Sequence, residues 1–123
     1  MESAQIIVAT PEKWDSVTRR FPFFVAQVAL LCIDEVHILD SDRGGTLETV
    51  VSRMKMLKKS GPQGRQGGEL RSKPIASMRT IALSATLPNV DDLGRWLDCE
   101  KTYNFGPDFR PVRLDTHVIG CTY

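Results

Sequence analysis

The stretch Val28-Ala29-Leu30-Leu31-Cys32-Ile33-Asp34-Glu35-Val36-His37 decides the fold. Residues 28–33 are apolar without alternation, so neither face is set aside for water. Such a run predicts a strand buried on both faces, as in a parallel sheet covered by helices on both sides. Two carboxylates follow at once. Ligands of open α/β sheets bind beyond the carboxyl ends of the strands. Asp34 and Glu35 therefore stand where a site would be.

Toward the N-terminus, Ile6-Ile7-Val8-Ala9 predicts another short buried strand. Thr10 suits an N-cap, Pro11 the first helical position and Glu12 the positive helix end, so residues 11–20 predict a helix closed by Arg19 and Arg20. Toward the C-terminus, Gly44-Gly45 break the chain. Leu47, Val50, Val51, Met54 and Leu57 then recur at helical spacing over 46–58. Arg53, Lys55, Lys58 and Lys59 load the negative end of that helix. Residues 59–78, rich in Gly, Ser, Pro, Gln and Arg, predict a flexible surface loop. Thr80-Ile81-Ala82-Leu83 predicts a third buried strand, and Asn89 caps a helix with Val90, Leu93, Trp96 and Leu97 inward. Weaker strands are expected near Tyr103–Phe105 and Arg113–Ile119. Strands alternating with helices predict an α/β fold with a mainly parallel sheet.

With 123 residues the chain has room for one domain. Its 41% apolar and 25% charged residues exclude a disordered chain, a collagen and a coiled coil. No apolar run approaches the ~20 residues of a membrane span, and the N-terminus carries no secretory pattern. Sixteen basic and fifteen acidic residues give a net charge of +1, so contacts to nucleic acid would rest on amides and hydroxyls rather than on a basic footprint. Cys32, Cys99 and Cys121 are odd in number and form no C-x-x-C pair, which argues against zinc and a disulfide framework. Reduced, largely buried thiols in an intracellular protein are expected.

Adjacent carboxylates at a strand end can divide their labour. One can hold a magnesium ion, which prefers oxygen ligands and keeps its waters. The other can position an attacking water and take its proton. For Asp34-Glu35 taken alone, capping of the next turn competes with this reading. Ser84-Ala85-Thr86 ends its strand in the same way; its hydroxyls suit a neighbouring carboxylate or a phosphate-bound water, or only an ordinary turn. His37 alone reads as a structural residue. Trp14 and Trp96 read as core, with base stacking by Trp14 the minor alternative.

Taken in order, Thr10-Pro11-Glu12-Lys13-Trp14-Asp15, Asp34-Glu35-Val36-His37 and Ser84-Ala85-Thr86 each follow an apolar strand. This order resembles the first motor domain of superfamily 2 helicases of the DExH type, over nearly the whole chain. The stretch from Asp34 to Arg43, with Gly44-Gly45-Thr46-Leu47-Glu48, is similar to the superkiller-type branch. Thr49-Val50-Val51-Ser52-Arg53-Met54-Lys55 is most similar to the meiotic crossover DNA helicases within it. Phe109-Arg110-Pro111-Val112 resembles the exit toward a second motor domain.

The resemblance implies a RecA-like fold, ATP and Mg²⁺ as cofactors, and a nucleic-acid partner. It implies that Asp34 holds the magnesium of ATP through water, while Glu35 activates the hydrolytic water. His37 would couple the nucleotide and nucleic-acid sites, with Ser84 and Thr86 as its partners. Thr10, Pro11 and Glu12 would line the nucleic-acid path, where a helix N-terminus can meet a phosphate.

The family also needs a G-x-x-x-x-G-K-[ST] phosphate loop. This sequence contains no Gly-Lys pair, and Gly61–Gly68 is a decoy that follows a helix. Residues 1–112 thus read as the C-terminal part of the first motor domain, and 113–123 as the start of a connection toward the second. The expected function is that of part of an ATP-dependent DNA helicase, nuclear and acting in meiotic recombination. An RNA helicase of the same branch and a non-catalytic binding module are the alternatives. The chain alone is expected not to hydrolyse ATP.

Overall fold

The computed structural model describes residues 4–60 and 74–120. Helix α1 spans Pro11–Arg20 and α2 spans Pro22–Val25. Strand β1 is Leu30–Ile33, followed by a 3-10 turn at Val36–Asp40 and helix α3 over Gly44–Ser60. A second 3-10 turn, Pro74–Ser77, leads into β2 at Arg79–Ala82, and α4 spans Val90–Trp96. A last 3-10 turn covers Pro107–Phe109.

The two strands pair in parallel, with Leu30 opposite Arg79, Cys32 opposite Ile81 and Ile33 opposite Ala82. Parallel neighbours need a crossover, and α3 supplies it. One face of the sheet is covered. Ile33 packs there with Val36, Leu47, Val51 and Leu97, and Ala82 lies against this cluster. A second cluster joins Val25, Ala26, Val50, Met54, Ile75 and Met78. Helix α3 thus contributes to both, because Leu47 and Val51 stand one turn apart on one side and Val50 and Met54 on the next.

Gly44 fixes where α3 begins. A Cβ there would lie 2.0 Å from the Leu39 carbonyl oxygen, so only glycine admits this close approach. Gly44 and Gly45 are therefore the first residues of the helix rather than a break before it. Helix α4 ends in a Schellman pattern: the Cys99 amide donates to the Gly94 carbonyl at 2.9 Å and the Asp98 amide to that of Arg95 at 3.1 Å. Asp98 occupies the left-handed position, φ 54°, that glycine usually fills. Its carboxylate meets Lys55 at 3.2 Å, which ties the end of α4 to α3.

The helix over 11–20 forms as expected, and the predicted α3 and α4 are present. Several expectations are corrected. Residues 6–9 form no strand and are exposed, since no strand lies beside them among the described residues. The run 28–33 shortens to Leu30–Ile33, the run 80–83 shifts by one residue to Arg79–Ala82, and both are covered on one face only. On the other face Leu30, Ile81 and Leu83 are exposed. Cys32 is exposed with them and Cys99 is half-buried, so the thiols are not largely buried; Cys121 lies outside the described residues. Residues 103–105 and 113–119 form no strand, since the sheet among the described residues consists of β1 and β2 alone. Asn89 precedes α4 without a side-chain cap bond. The expected loop over 59–78 is also cut at its far end, where Ile75 and Met78 are fully buried. The decoy Gly61–Gly68 lies outside the described residues.

Candidate functional site

Parallel pairing brings the ends of β1 and β2 to one edge. The Leu83 amide donates to the Ile33 carbonyl at 2.8 Å, and the Val36 amide donates back to the Leu83 carbonyl at 2.9 Å. These two bonds extend the ladder past both strands. They set Asp34-Glu35 beside Ser84-Ala85-Thr86.

Glu35 sits in the left-handed region, φ 55° and ψ 44°. A non-glycine residue there is uncommon and marks a constrained turn. The turn is held from both sides. The Glu35 amide donates to Asp34 Oδ1 at 3.0 Å, and the Glu35 carbonyl accepts from the Ile38 amide at 3.0 Å. Asp34 and Glu35 are both exposed, so the carboxylates face solvent at the sheet edge. Capping by Asp34 is real, but it engages one oxygen only.

His37 lies half-buried in the following 3-10 turn. Its Nδ1 accepts from the Ala85 amide at 3.3 Å and lies 3.3 Å from Glu35 Oε2. One nitrogen cannot serve both at once. A bare Nδ1 accepts the amide, whereas a protonated Nδ1 donates to the carboxylate. The link between this turn and Ser84-Ala85-Thr86 thus runs through the backbone between the two hydroxyl residues. The hydroxyls of Ser84 and Thr86 are exposed and make no hydrogen bond among the described residues.

Thr10, Pro11 and Glu12 open α1. The Thr10 hydroxyl caps the helix by accepting from the Lys13 amide at 3.3 Å. Glu12 is engaged by Arg43 through two parallel bonds, Nε to Oε1 at 2.8 Å and Nη2 to Oε2 at 2.9 Å. The Arg43 fork, aided by the Glu12 backbone and the Thr10 hydroxyl, holds the Glu12 carboxyl down to about 2. Deeper along α1, Asp15 meets Arg53 of α3 at 2.7 Å and Arg19 at 2.9 Å. Arg53 also donates to the Thr18 hydroxyl at 2.8 Å, and Thr18 is buried.

Arg43 and Arg53 are the residues to which sequence reading gave no such role. Each acidic partner lies more than 30 positions away, at separations of 31 for Glu12 and 38 for the Asp15 carbonyl. No local spacing could announce them. Trp14 belongs with the core, its ring 6.0 Å from that of Phe24. Trp96 packs against the other cluster.

Hard oxygen donors are what a magnesium–nucleotide site requires, in the form of one or two carboxylates with the remaining positions left to water and phosphate. Asp34 keeps one oxygen clear of its amide bond, and two free hydroxyls stand near, so these residues fit such a group.

The DEAD/DEAH box helicase family pattern matches residues 1–93. The chain is 42% identical over 127 aligned residues to the ATP-dependent DNA helicase homolog MER3 of Arabidopsis thaliana, covering 98% of this chain and 11% of that protein. It is 42% identical to the probable ATP-dependent DNA helicase HFM1 of Mus musculus, across 98% of this chain and 8% of that one. The DExH-box ATP-dependent RNA helicase DExH12 of Arabidopsis thaliana is 38% identical, with 98% and 5% covered. The chain therefore spans about a tenth or less of the length of these relatives. With three quarters of its length inside the family pattern and the Asp34-Glu35-Val36-His37 turn built at the edge of a parallel sheet, the chain belongs to the DEAD/DEAH box helicases.

Proposed function

We propose that this chain is part of the first motor domain of an ATP-dependent DNA helicase. The observation that carries the reading is the shared edge of β1 and β2, where the constrained Glu35 turn and the Ser84–Thr86 segment meet through the Ala85 amide and His37. Residues 1–112 belong to that domain in this reading, and 113–123 begin the connection to a second one. DNA is favoured over RNA by the higher identity to relatives named as DNA helicases, 42% against 38%. The similarity to the meiotic crossover helicases extends the proposal to the nucleus and to meiotic recombination.

Asp34 would hold the Mg²⁺ of ATP through water, and that ion would supply charge neutralisation at the phosphates. Glu35, exposed and fixed in its turn, orients the attacking water and accepts its proton. His37 has two exclusive partners, Ala85 and Glu35, so a change at the carboxylate alters what holds Ser84-Ala85-Thr86. Ser84 and Thr86 offer free hydroxyls to the same edge. Thr10 and Pro11, with Glu12 holding their turn in place, present the start of α1 to the nucleic-acid backbone.

In the full-length protein, Glu35→Gln should keep ATP binding and lower turnover by about a hundredfold or more, as loss of a general base does. Asp34→Asn should weaken magnesium-dependent nucleotide binding instead. Equal turnover in Glu35→Gln and parent would remove Glu35 from the role.

A further inference from the structure

We infer that Arg43 is a positioning residue that couples the first turn of α1 to the Glu35 turn, so that nucleic acid bound at one is felt at the other. The inference rests on the helicase reading above. It starts from a continuous set of backbone bonds. The Ile38 amide donates to the Glu35 carbonyl at 3.0 Å, the Ser41 amide to that of Ile38 at 2.9 Å, and the Gly44 amide to that of Ser41 at 2.8 Å. Each step advances three residues: the first two belong to the 3-10 turn over Val36–Asp40, and the third closes a separate turn after Ser41, whose backbone is extended.

The segment is braced. The Ser41 hydroxyl donates to the Ile38 carbonyl at 2.6 Å and accepts from the Arg43 amide at 3.3 Å. Gly44 is pressed onto Leu39, which leaves the far end little freedom. Val36 is buried at the near end. Arg43 stands in the turn that closes this segment, and its guanidinium takes both oxygens of Glu12. A bidentate fork fixes orientation as well as distance. Glu12 in turn lies in the first helical turn, one residue from Pro11 and two from the capping Thr10.

Exposed ion pairs contribute little to stability, and both side chains here are about half exposed, 53% and 48%. Geometry is what this pair supplies. A movement of the α1 start is carried by Arg43 into a segment whose other end is the αL turn at Glu35. Two sites on one braced segment are coupled if both bias its position.

The test uses the full-length protein, with single-stranded DNA as the probe. ATP turnover is measured without DNA and at rising DNA concentration, for the parent, Arg43→Ala and Arg43→Lys. Arg43→Ala should keep DNA-free turnover and the KM for ATP within about twofold, and lose about tenfold of the DNA-stimulated kcat. Arg43→Lys keeps the charge and loses the fork, so it should fall with the alanine variant rather than with the parent. Full stimulation in Arg43→Ala, or an equal loss with and without DNA, would overturn the coupling role. A lysine variant that matches the parent would show that charge alone suffices and would overturn the geometric role. A parent without Glu35-dependent turnover would instead overturn the helicase reading itself.

Discussion

Arg53 of α3 and Asp15 of α1 meet at 2.7 Å, with their side chains 18% and 21% exposed. The same guanidinium reaches the Thr18 hydroxyl and the Asp15 carbonyl, so one side chain satisfies three acceptors on α1. Removing it leaves a half-buried carboxylate with Arg19 as its remaining partner. Hydrogen bonds to charged groups contribute about 2 kcal/mol, which corresponds to about a thirtyfold change in local opening. Arg53→Met should therefore speed hydrogen exchange of the α1 amides by about that factor and leave β1 and β2 unchanged. Equal rates in α1 would show that its apolar contacts alone hold it.

The two neighbouring glycines at the start of α3 should respond in opposite directions. A Cβ at Gly44 meets the Leu39 backbone, whereas one at Gly45 meets nothing within 4 Å. Gly44→Ala has to push the 3-10 turn away from the helix and should cost about 3 kcal/mol, as overpacking does. Gly45→Ala should be neutral or stabilise by up to about 1 kcal/mol through helix propensity. Denaturant midpoints of the two variants check the contrast. A Gly44→Ala protein as stable as the parent would mean that the turn yields at no cost.

Acid should release α1 before the rest. The Arg43 fork holds Glu12 at about 2 instead of an ordinary 4.5, and Arg19 with Arg53 lowers Asp15. A depressed carboxyl contributes stability that is complete above its unfolded value and is lost as pH falls through the folded one. The contribution of Glu12 should thus disappear between pH 4.5 and about 2. Emission of Trp14, read in a Trp96→Phe background, should shift across that window. In Glu12→Gln the low-pH part of the shift should shrink. A transition complete above pH 5 would assign acid sensitivity to other groups.

Legibility followed how local each signal is. Thr10-Pro11-Glu12 specifies a helix start through its own backbone and side chains, so α1 was readable to the residue. The Asp34-Glu35 turn was placed correctly because an apolar run points at it, yet the αL backbone of Glu35 has no mark in the sequence. Ile6–Ala9 misled for the converse reason. Its β-branched residues fit a strand, but pairing is a property of a neighbour, and β1 and β2 pair only with each other among the described residues. Ile75 was hidden in a Gly/Ser/Pro-rich stretch, although it is completely buried against Val25 and Met54. The Arg43–Glu12 fork joins residues from separate elements, and only the fold brings them together.

Expressed alone, the 123-residue chain should associate with itself through the uncovered side of its sheet. Parallel sheets occur almost only with both faces covered, and here the outer face carries Leu30, Cys32, Ile81 and Leu83, all exposed. The register sets Cys32 opposite Ile81, with Leu30 two residues along on the same face and Arg79 opposite Leu30 at its far end. A two-stranded sheet also has two open edges, each a template for another strand, and apolar patches of this kind drive association. Light scattering behind size-exclusion chromatography should give masses above the monomer that rise with concentration. Ile81→Lys places a charge in the middle of the patch without touching the buried face, so it should return the chain toward monomer. If parent and variant both elute as a sharp monomer with a cooperative melt, the face is closed in solution, and residues 6–9 or 103–119 are the apolar segments within the chain that could close it.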